Sequence, residues 1–189
     1  MTVFAVTVVG TAAEAATSAA IVVDAKTGKV LYSSNADARC YPASLTKMMT
    51  LYLLFEALDS GKVTLSSRIP ISKNAAAQPP SKLGLKAGQT IAVKDAILSL
   101  VTRSANDIAA AIGEFLGGTE SGFAVKMTAK ARAIGMKSTT FKNASGLPDP
   151  GQVTTARDMA LLGRALQDRF PKYYAYFKTP SFTYGGSKI

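Results

Sequence analysis

Ser44 and Lys47 are the two residues of this 189-residue chain whose types and spacing best suit covalent chemistry. They stand in "YPASLTK" (residues 41 to 47), directly before a long apolar run. If the segment is helical, this spacing brings the lysine amine within reach of the serine hydroxyl. A lysine accepts a proton only when it is neutral, and burial against apolar neighbours lowers its pKa towards that state. The pattern therefore predicts a serine nucleophile with lysine as its base.

The residue types that are absent narrow the chemistry further. The sequence contains no histidine, which excludes a Ser-His-Asp triad, a Cys-His pair and any imidazole metal ligand. Cys40 is the one cysteine, so neither an internal disulfide nor a CxxC metal site can form. Cys40 has no evident activating base, and we interpret it as a structural thiol rather than a nucleophile. No metal and no cofactor are predicted.

A second polar motif, Ser104-Ala105-Asn106, stands where two helical patterns are interrupted. A hydroxyl and an amide displayed there can relay a proton and hold a substrate carbonyl. Both motifs also have simpler interpretations. About one S-x-x-K is expected by chance in a chain of this composition, so Ser44 as a helix N-cap beside a solvated Lys47 stays open. Ser104 with Asp107 equally fits a capping box.

The elements that must position these residues are a strand pair followed by a mostly helical body. Strands are predicted over residues 19–24 and 29–33, joined by a turn that contains Gly28. The helix that begins at Ser44 has little polar surface, which predicts a central, buried position. Helices are predicted over residues 44–58, 93–101, 108–116, 121–134 and 155–166, the last opened by a capping box of Thr155 and Asp158.

The N-terminus carries the pattern of an export signal. Residues 3–13 form an apolar run too short to span a bilayer, and Ala13-Glu14-Ala15 fits a small-residue cleavage site. No basic residue precedes Lys26, which departs from the usual signal. We expect residues 1–16 to be a secretory signal remnant and residues 17–189 to be one partial domain.

The chain is basic, with a formal charge of +10, yet this charge forms no block. The 22 Lys and Arg residues are scattered and no aromatic residues are interleaved with a basic run. A solvated basic surface explains this pattern better than nucleic-acid binding does. No nucleic-acid partner is predicted.

Five segments in order along the chain resemble the serine D-alanyl-D-alanine carboxypeptidases, the low-molecular-mass penicillin-binding proteins that trim peptidoglycan stem peptides. Ser44-x-x-Lys47 and Ser104-x-Asn106 match the first two motifs of such enzymes. The segments are "VVDAKTGKVLYSSNAD", "YPASLTKMMT", "SANDIAAAIGE", "AIGMKSTTFKNASGLPDPGQVTTARDMALLGRAL" and "FTYGG". The resemblance implies an α/β (α+β) fold of the β-lactamase/transpeptidase type, with an antiparallel sheet and a large helical subdomain.

The resemblance also implies a role for each motif residue. Ser44 would attack the carbonyl between two D-alanines and form an acyl-enzyme that water hydrolyses. Lys47 would be the base for acylation, Ser104 would relay protons to the leaving D-alanine, and Asn106 would bind the substrate amide or carbonyl. The Ser44 backbone N–H would supply one oxyanion-hole donor. No cofactor is implied.

The implied partners are the peptidoglycan pentapeptide and β-lactam antibiotics, which should acylate Ser44 as well. The implied location is the periplasm at the outer face of the inner membrane. Family members often associate with that membrane through a C-terminal segment, which we do not find within these 189 residues.

The third motif of the family, K-T-G, is expected on a strand after Asn106. Lys26-Thr27-Gly28 precedes Ser44 and falls in the predicted hairpin turn, so we do not assign it this role. Lys188 is followed only by Ile189. We expect a chain truncated before its K-T-G motif and before the last strands of its sheet, which makes activity of these residues alone doubtful.

Two alternatives remain on the sequence alone. A non-catalytic, penicillin-binding-like remnant would also explain the lack of a later K-T-G. A class A-type β-lactamase shares the first two motifs but needs a glutamate well after them to activate the deacylating water. The four glutamates are Glu14, Glu56, Glu114 and Glu120, and none falls in the later loop. The β-lactamase is therefore the weaker alternative.

Overall fold

A computed structural model describes residues 18–189 as six short strands and seven helices. The leader predicted over residues 1–16, and its boundary with the domain, lie outside the described residues. The strands are β1 (Ala20–Val23), β2 (Val30–Ser34), β3 (Arg68–Pro70), β4 (Thr90–Ala92), β5 (Thr183–Tyr184) and β6 (Ser187–Lys188). The helices are α1 (Thr46–Asp59), α2 (Lys73–Ala77), α3 (Val93–Arg103), α4 (Asn106–Gly117), α5 (Glu120–Ala133), α6 (Ala156–Arg169) and α7 (Pro171–Tyr174).

The strands form three separate antiparallel pairs, β1 with β2, β3 with β4, and β5 with β6. The first pair is the predicted hairpin, with Val22 opposite Tyr32. Lys26-Thr27-Gly28 lies in its turn, where Gly28 adopts a φ of +74°. The pairing of β3 with β4 is not foreseen from the sequence, because strands of three residues are too short to show alternation.

Helix α1 is the centre of the molecule. Ten of its fourteen residues are buried, and it contacts α4, α5 and α6. This burial on nearly all sides agrees with the apolar pattern of the sequence. Near its C-terminal end, Phe55 lies against three aromatic rings, at centroid distances of 6.0 Å from Phe170, 5.2 Å from Tyr173 and 6.5 Å from Phe177. The aromatic cluster fixes the end of α1 that lies away from Ser44.

The helix ends follow recognisable capping signals. The Thr155 side chain accepts a hydrogen bond from the Asp158 N–H at 3.1 Å, so Thr155 is the N-cap of α6 as predicted. The reciprocal half of the predicted capping box is wrong, because the Asp158 carboxylate accepts from the Ser138 N–H and the Thr139 hydroxyl. The predicted break at "TRSAND" is also confirmed, because α3 ends at Arg103 and α4 begins at Asn106. Among residues 18–189, no helix has the length and apolar character needed to cross a membrane.

We predict that Phe55→Ala lowers the free energy of unfolding by about 3–5 kcal/mol, because it opens a cavity inside the aromatic cluster. Urea denaturation followed by circular dichroism measures the change. Val125→Ala is the control: this α5 side chain is 71% exposed, and its loss should change stability by no more than about 0.5 kcal/mol. Equal effects of the two substitutions would contradict the central role given to α1.

Candidate active site

Ser44 lies in a 3-10 turn, Ala43–Leu45, that leads directly into α1. Its side chain is exposed and forms no capping hydrogen bond, so the interpretation of Ser44 as a simple N-cap is wrong. Lys47 follows on the first turn of α1, and its Nζ donates to the Ser44 Oγ at 3.4 Å. The expected meeting of hydroxyl and amine therefore occurs, with the hydroxyl accessible and the amine beneath it.

The Lys47 side chain is buried, with only 4% of its surface exposed. Besides Ser44, its Nζ donates to the Asn106 Oδ1 at 2.8 Å and to the Ser145 carbonyl oxygen at 2.6 Å. All three acceptors are neutral, and no carboxylate of residues 18–189 forms an ion pair with this amine. Burial lowers the pKa of Lys47 from 10.5 to about 8. An appreciable fraction of the amine is therefore neutral near physiological pH, as a base requires.

Asn106 begins α4 and is held from both ends of its side-chain amide. Its Oδ1 accepts from Lys47, while its Nδ2 donates to the Pro79 carbonyl at 3.0 Å. Its backbone N–H donates to the Ser81 carbonyl at 2.7 Å. These contacts fix the orientation of the amide, because the nitrogen faces a carbonyl and the oxygen faces an amine.

Ser104 terminates α3 in the left-handed conformation, with a φ of +56°. Within residues 18–189 its buried hydroxyl has no hydrogen-bond partner. It lines a cavity of about 300 Å³ together with Ser44 and Lys47. A strained backbone and an unpartnered buried hydroxyl are both costly, and such costs are typical of functional positions.

The capping box of Ser104 with Asp107 is wrong. The Asp107 carboxylate instead accepts the backbone N–H groups of Leu83 at 2.9 Å and Gly84 at 2.8 Å. The residue at the N-cap of α4 is Ala105. The spacing fits a capping box, but the left-handed Ser104 turns its side chain away from the start of α4.

Ser145 is the site residue that sequence reasoning missed, because its contribution is a backbone carbonyl rather than a side chain. The segment around it lies between the helices predicted over residues 121–134 and 155–166. Two contacts hold this loop against α1 and the start of α5. The Thr50 hydroxyl donates to the Ala144 carbonyl at 2.7 Å, and the Glu120 carboxylate accepts the Ala144 N–H at 3.1 Å. The loop thus carries the acceptor to the buried amine of Lys47.

Gly146 lets the same loop approach the backbone beside Ser44. Its φ is +89°, and the Asn143 side chain accepts its N–H at 2.7 Å in a local turn. A Cβ at this position would collide with the Ala43 carbonyl oxygen. Ala43 is itself left-handed, with a φ of +45°. An Asn three residues before a Gly was the one signal in the sequence that could have indicated this turn.

The remaining candidate residues lie elsewhere or serve structural roles. Cys40 donates weakly to the Thr154 carbonyl at 3.6 Å, and burial raises the pKa of its thiol, in keeping with a structural role. In the hairpin turn, the backbone N–H and the hydroxyl of Thr27, from the K-T-G of residues 26–28, both donate hydrogen bonds to the Asp24 carboxylate. Glu56 pairs with Lys130 and Arg169, whereas Glu114 and Glu120 both accept from Asn74. No glutamate lines the Ser44 cavity among the described residues.

Comparison with known proteins finds a match over residues 6–189 to the sequence profile of a family described as D-alanyl-D-alanine carboxypeptidase. The D-alanyl-D-alanine carboxypeptidase DacF of Bacillus subtilis is 40% identical over 147 residues, which are 78% of this chain and 38% of that protein. DacC of Escherichia coli is 38% identical over 87% of this chain and 42% of its own length. The chain thus spans about two fifths of the length of these relatives.

Solved structures show the same likeness in three dimensions. The D-alanyl-D-alanine carboxypeptidase DacD from Francisella tularensis superposes with a TM-score of 0.87 at 38% identity, over 92% of this chain and 42% of that one. Penicillin-binding protein D2 from Listeria monocytogenes, solved in a cefotaxime-bound form, superposes with a TM-score of 0.78 at 34% identity, over 90% and 70% of the two chains. The predicted fold class is confirmed by these neighbours.

We predict that Gly146→Ala destabilises the protein more than Gly88→Ala does. Both glycines are left-handed, at φ values of +89° and +87°, but nothing lies within 4 Å of a Cβ added at Gly88. The backbone strain of about 1–2 kcal/mol is therefore shared by the two variants. At Gly146 the displaced Ala43 backbone adds about 1–3 kcal/mol. Chemical denaturation of both variants measures the difference, and equal losses would refute the close approach.

Proposed function

This chain belongs to the D-alanyl-D-alanine carboxypeptidase family, and we propose that it acts as a serine-type carboxypeptidase on peptidoglycan stem peptides. The observation that carries the proposal is the buried Lys47 amine, 3.4 Å from the exposed Ser44 hydroxyl. The chain covers part of the length of its relatives, so the proposal concerns the protein to which these residues belong.

The proposed reaction begins with proton transfer. Neutral Lys47 takes the Ser44 hydroxyl proton while Oγ attacks the carbonyl carbon of the penultimate D-alanine. The Ser44 backbone N–H donates to the developing oxyanion. The proton then passes from Lys47 through the Ser104 hydroxyl to the nitrogen of the terminal D-alanine, whose bond to the carbonyl carbon breaks. Water hydrolyses the resulting ester and regenerates Ser44.

Asn106 has two roles in this proposal. Its Oδ1, 2.8 Å from the Lys47 Nζ, keeps the amine directed into the cavity. One N–H of its Nδ2 is occupied by the Pro79 carbonyl. The second has no acceptor among residues 18–189 and would donate to a substrate carbonyl. A single amide thus aligns base and substrate.

We further propose that β-lactams acylate Ser44, since their strained amide offers the same electrophilic carbonyl. The relative from Listeria monocytogenes, solved with cefotaxime, supports this proposal. Export of the protein is proposed from the apolar run of residues 3–13 and its small-residue cleavage pattern. We propose the outer face of the inner membrane as the location of the exported protein, where it would meet a stem-peptide substrate outside the cytoplasm.

We predict that a fluorescent penicillin labels the protein at Ser44 and that Ser44→Ala abolishes the label. Mass spectrometry of the tryptic peptide containing residues 41–47 locates the adduct, and D-alanine release from a peptide ending in D-Ala-D-Ala tests turnover. Ser187→Ala, which changes an exposed serine of β6, should label normally. A folded full-length protein that takes no label would overturn the acyl-serine proposal and favour a non-catalytic penicillin-binding-like protein.

We predict that acylation accelerates about tenfold per pH unit below pH 8 and levels off above it, because only the neutral Lys47 amine acts as a base. The predicted midpoint is the lowered pKa of about 8. Stopped-flow acylation across this range measures the profile. Lys47→Arg places a group that stays protonated at the same position and should abolish acylation at every pH. Normal acylation by this variant would show that Lys47 is not the base.

A further inference from the structure

The loop of residues 79–84 contains no helix or strand, yet it is firmly attached to one neighbour. Six hydrogen bonds join it to the segment of residues 103–107, which carries the Ser104-x-Asn106 motif. They include the Ser81 hydroxyl donating to the Arg103 carbonyl at 2.8 Å, and the Arg103 Nε donating to the Lys82 carbonyl at 2.7 Å. The loop and the motif therefore form one hydrogen-bonded unit.

Asp107 supplies the carboxylate contacts of this unit. Its side chain is 0% exposed, and its two carboxylate oxygens accept the N–H groups of Leu83 and Gly84. The Oδ1 also accepts the Ile108 N–H at 2.9 Å. Within residues 18–189 no Lys or Arg pairs with it. A buried carboxylate in the first turn of a helix is stabilised by such N–H groups and by the helix dipole.

Attachment of the loop supplies one of the two contacts that orient the Asn106 amide. The Pro79 carbonyl accepts from Nδ2, so the opposite end of the amide, Oδ1, is presented to Lys47. A side-chain amide is nearly symmetric in shape, and only its hydrogen-bond partners distinguish the two orientations. Release of the loop would remove one of the two partners that distinguish them and leave only the Lys47 amine to hold the amide. The amide would then be less firmly held, and its Oδ1 would be presented to the amine for less of the time.

We propose that Asp107 is a positioning residue for the reaction of Ser44. Its carboxylate clamps the loop of residues 79–84, the loop places the Pro79 carbonyl, and that carbonyl orients the Asn106 amide towards Lys47. Asp107 forms no hydrogen bond or ion pair with Ser44 or Lys47, and in this proposal it contributes through Asn106 alone. This inference rests on the proposed acyl-serine function in those experiments that measure acylation, and not in those that measure Lys47 titration or hydrogen exchange.

Asp107→Asn tests the clamp, because an amide of the same shape has one acceptor oxygen for two N–H groups. We expect penicillin acylation to slow about 10- to 100-fold, as for other small displacements of reacting groups. We also expect Lys47 to titrate at lower pH in side-chain NMR, since its ammonium form loses the Asn106 acceptor. Asp107→Glu retains the charge but moves the carboxylate, so it should share both effects. A normal Asp107→Glu variant would reduce the role of Asp107 to its charge and overturn the proposal.

A double-mutant cycle separates positioning from general destabilisation. In an Asn106→Ala background, Asp107→Asn should change acylation by no more than about twofold, because the residue through which it acts is gone. Full additivity of the two substitutions would overturn the proposal. Asp95→Asn is the matched control, since Asp95 occupies the first turn of α3 as Asp107 occupies that of α4. This control should keep the wild-type acylation rate and Lys47 titration.

Hydrogen exchange of the unmodified protein covers the case in which Asp107 variants do not fold. The Leu83 and Gly84 amides should exchange at least about tenfold more slowly than amides of exposed loops in the same protein. Exchange at the rate of exposed loops would show that the clamp does not hold in solution. Neither hydrogen exchange nor the Lys47 titration requires acylation. If the protein does not react with penicillin, the proposed function is refuted, but these two measurements still test the role of Asp107.

Discussion

An amine held out of water must find acceptors within the protein, and this requirement at Lys47 determines how the molecule is assembled. Its three acceptors come from the turn before α1, the start of α4 and the loop that carries Ser145. All are neutral dipoles. A carboxylate in their place would stabilise the ammonium form and raise the pKa, whereas neutral acceptors satisfy the N–H groups and leave burial to lower it. The chemistry of the site therefore depends on the kind of partner as much as on its distance.

Two of the three segments are held by contacts of their own, so neither depends on Lys47 alone. Thr50 and Glu120 hold the loop with Ser145 through Ala144, and the loop of residues 79–84 holds the start of α4. Two of the three left-handed residues other than glycine in the described chain, Ala43 and Ser104, lie next to Ser44 and Asn106 in this arrangement. Unstrained, well-packed helices such as α1 supply the stability that offsets the backbone strain of these residues. The division resembles that of many enzymes, in which rigid elements hold a few strained residues in place.

Much of this arrangement could be predicted from the sequence, but only where side chains carry the signal. The β1–β2 hairpin, the buried α1, the break before Asn106 and the Thr155 cap all follow from periodicity or capping residues. The Ser145 carbonyl could not be found this way, because every residue has one and its use depends on where the chain folds. The capping box of Ser104 with Asp107 failed for a related reason: its spacing is right, but a left-handed backbone, invisible in the sequence, redirects the side chain. The pairing of β3 with β4 escaped because three residues show no period.

The distances along the chain between Lys47 and its acceptors have a consequence for how the protein is made. Asn106 lies 59 residues after Lys47, and Ser145 lies 98 residues after it. A chain is synthesised from its N-terminus, so Lys47 emerges long before either partner and remains in water with the basicity of an ordinary lysine. In the proposed mechanism, Ser44 therefore has no effective base in the nascent or partly folded chain. It would become reactive only once both distant segments bury the amine, so a stray electrophile would not acylate the unfinished protein.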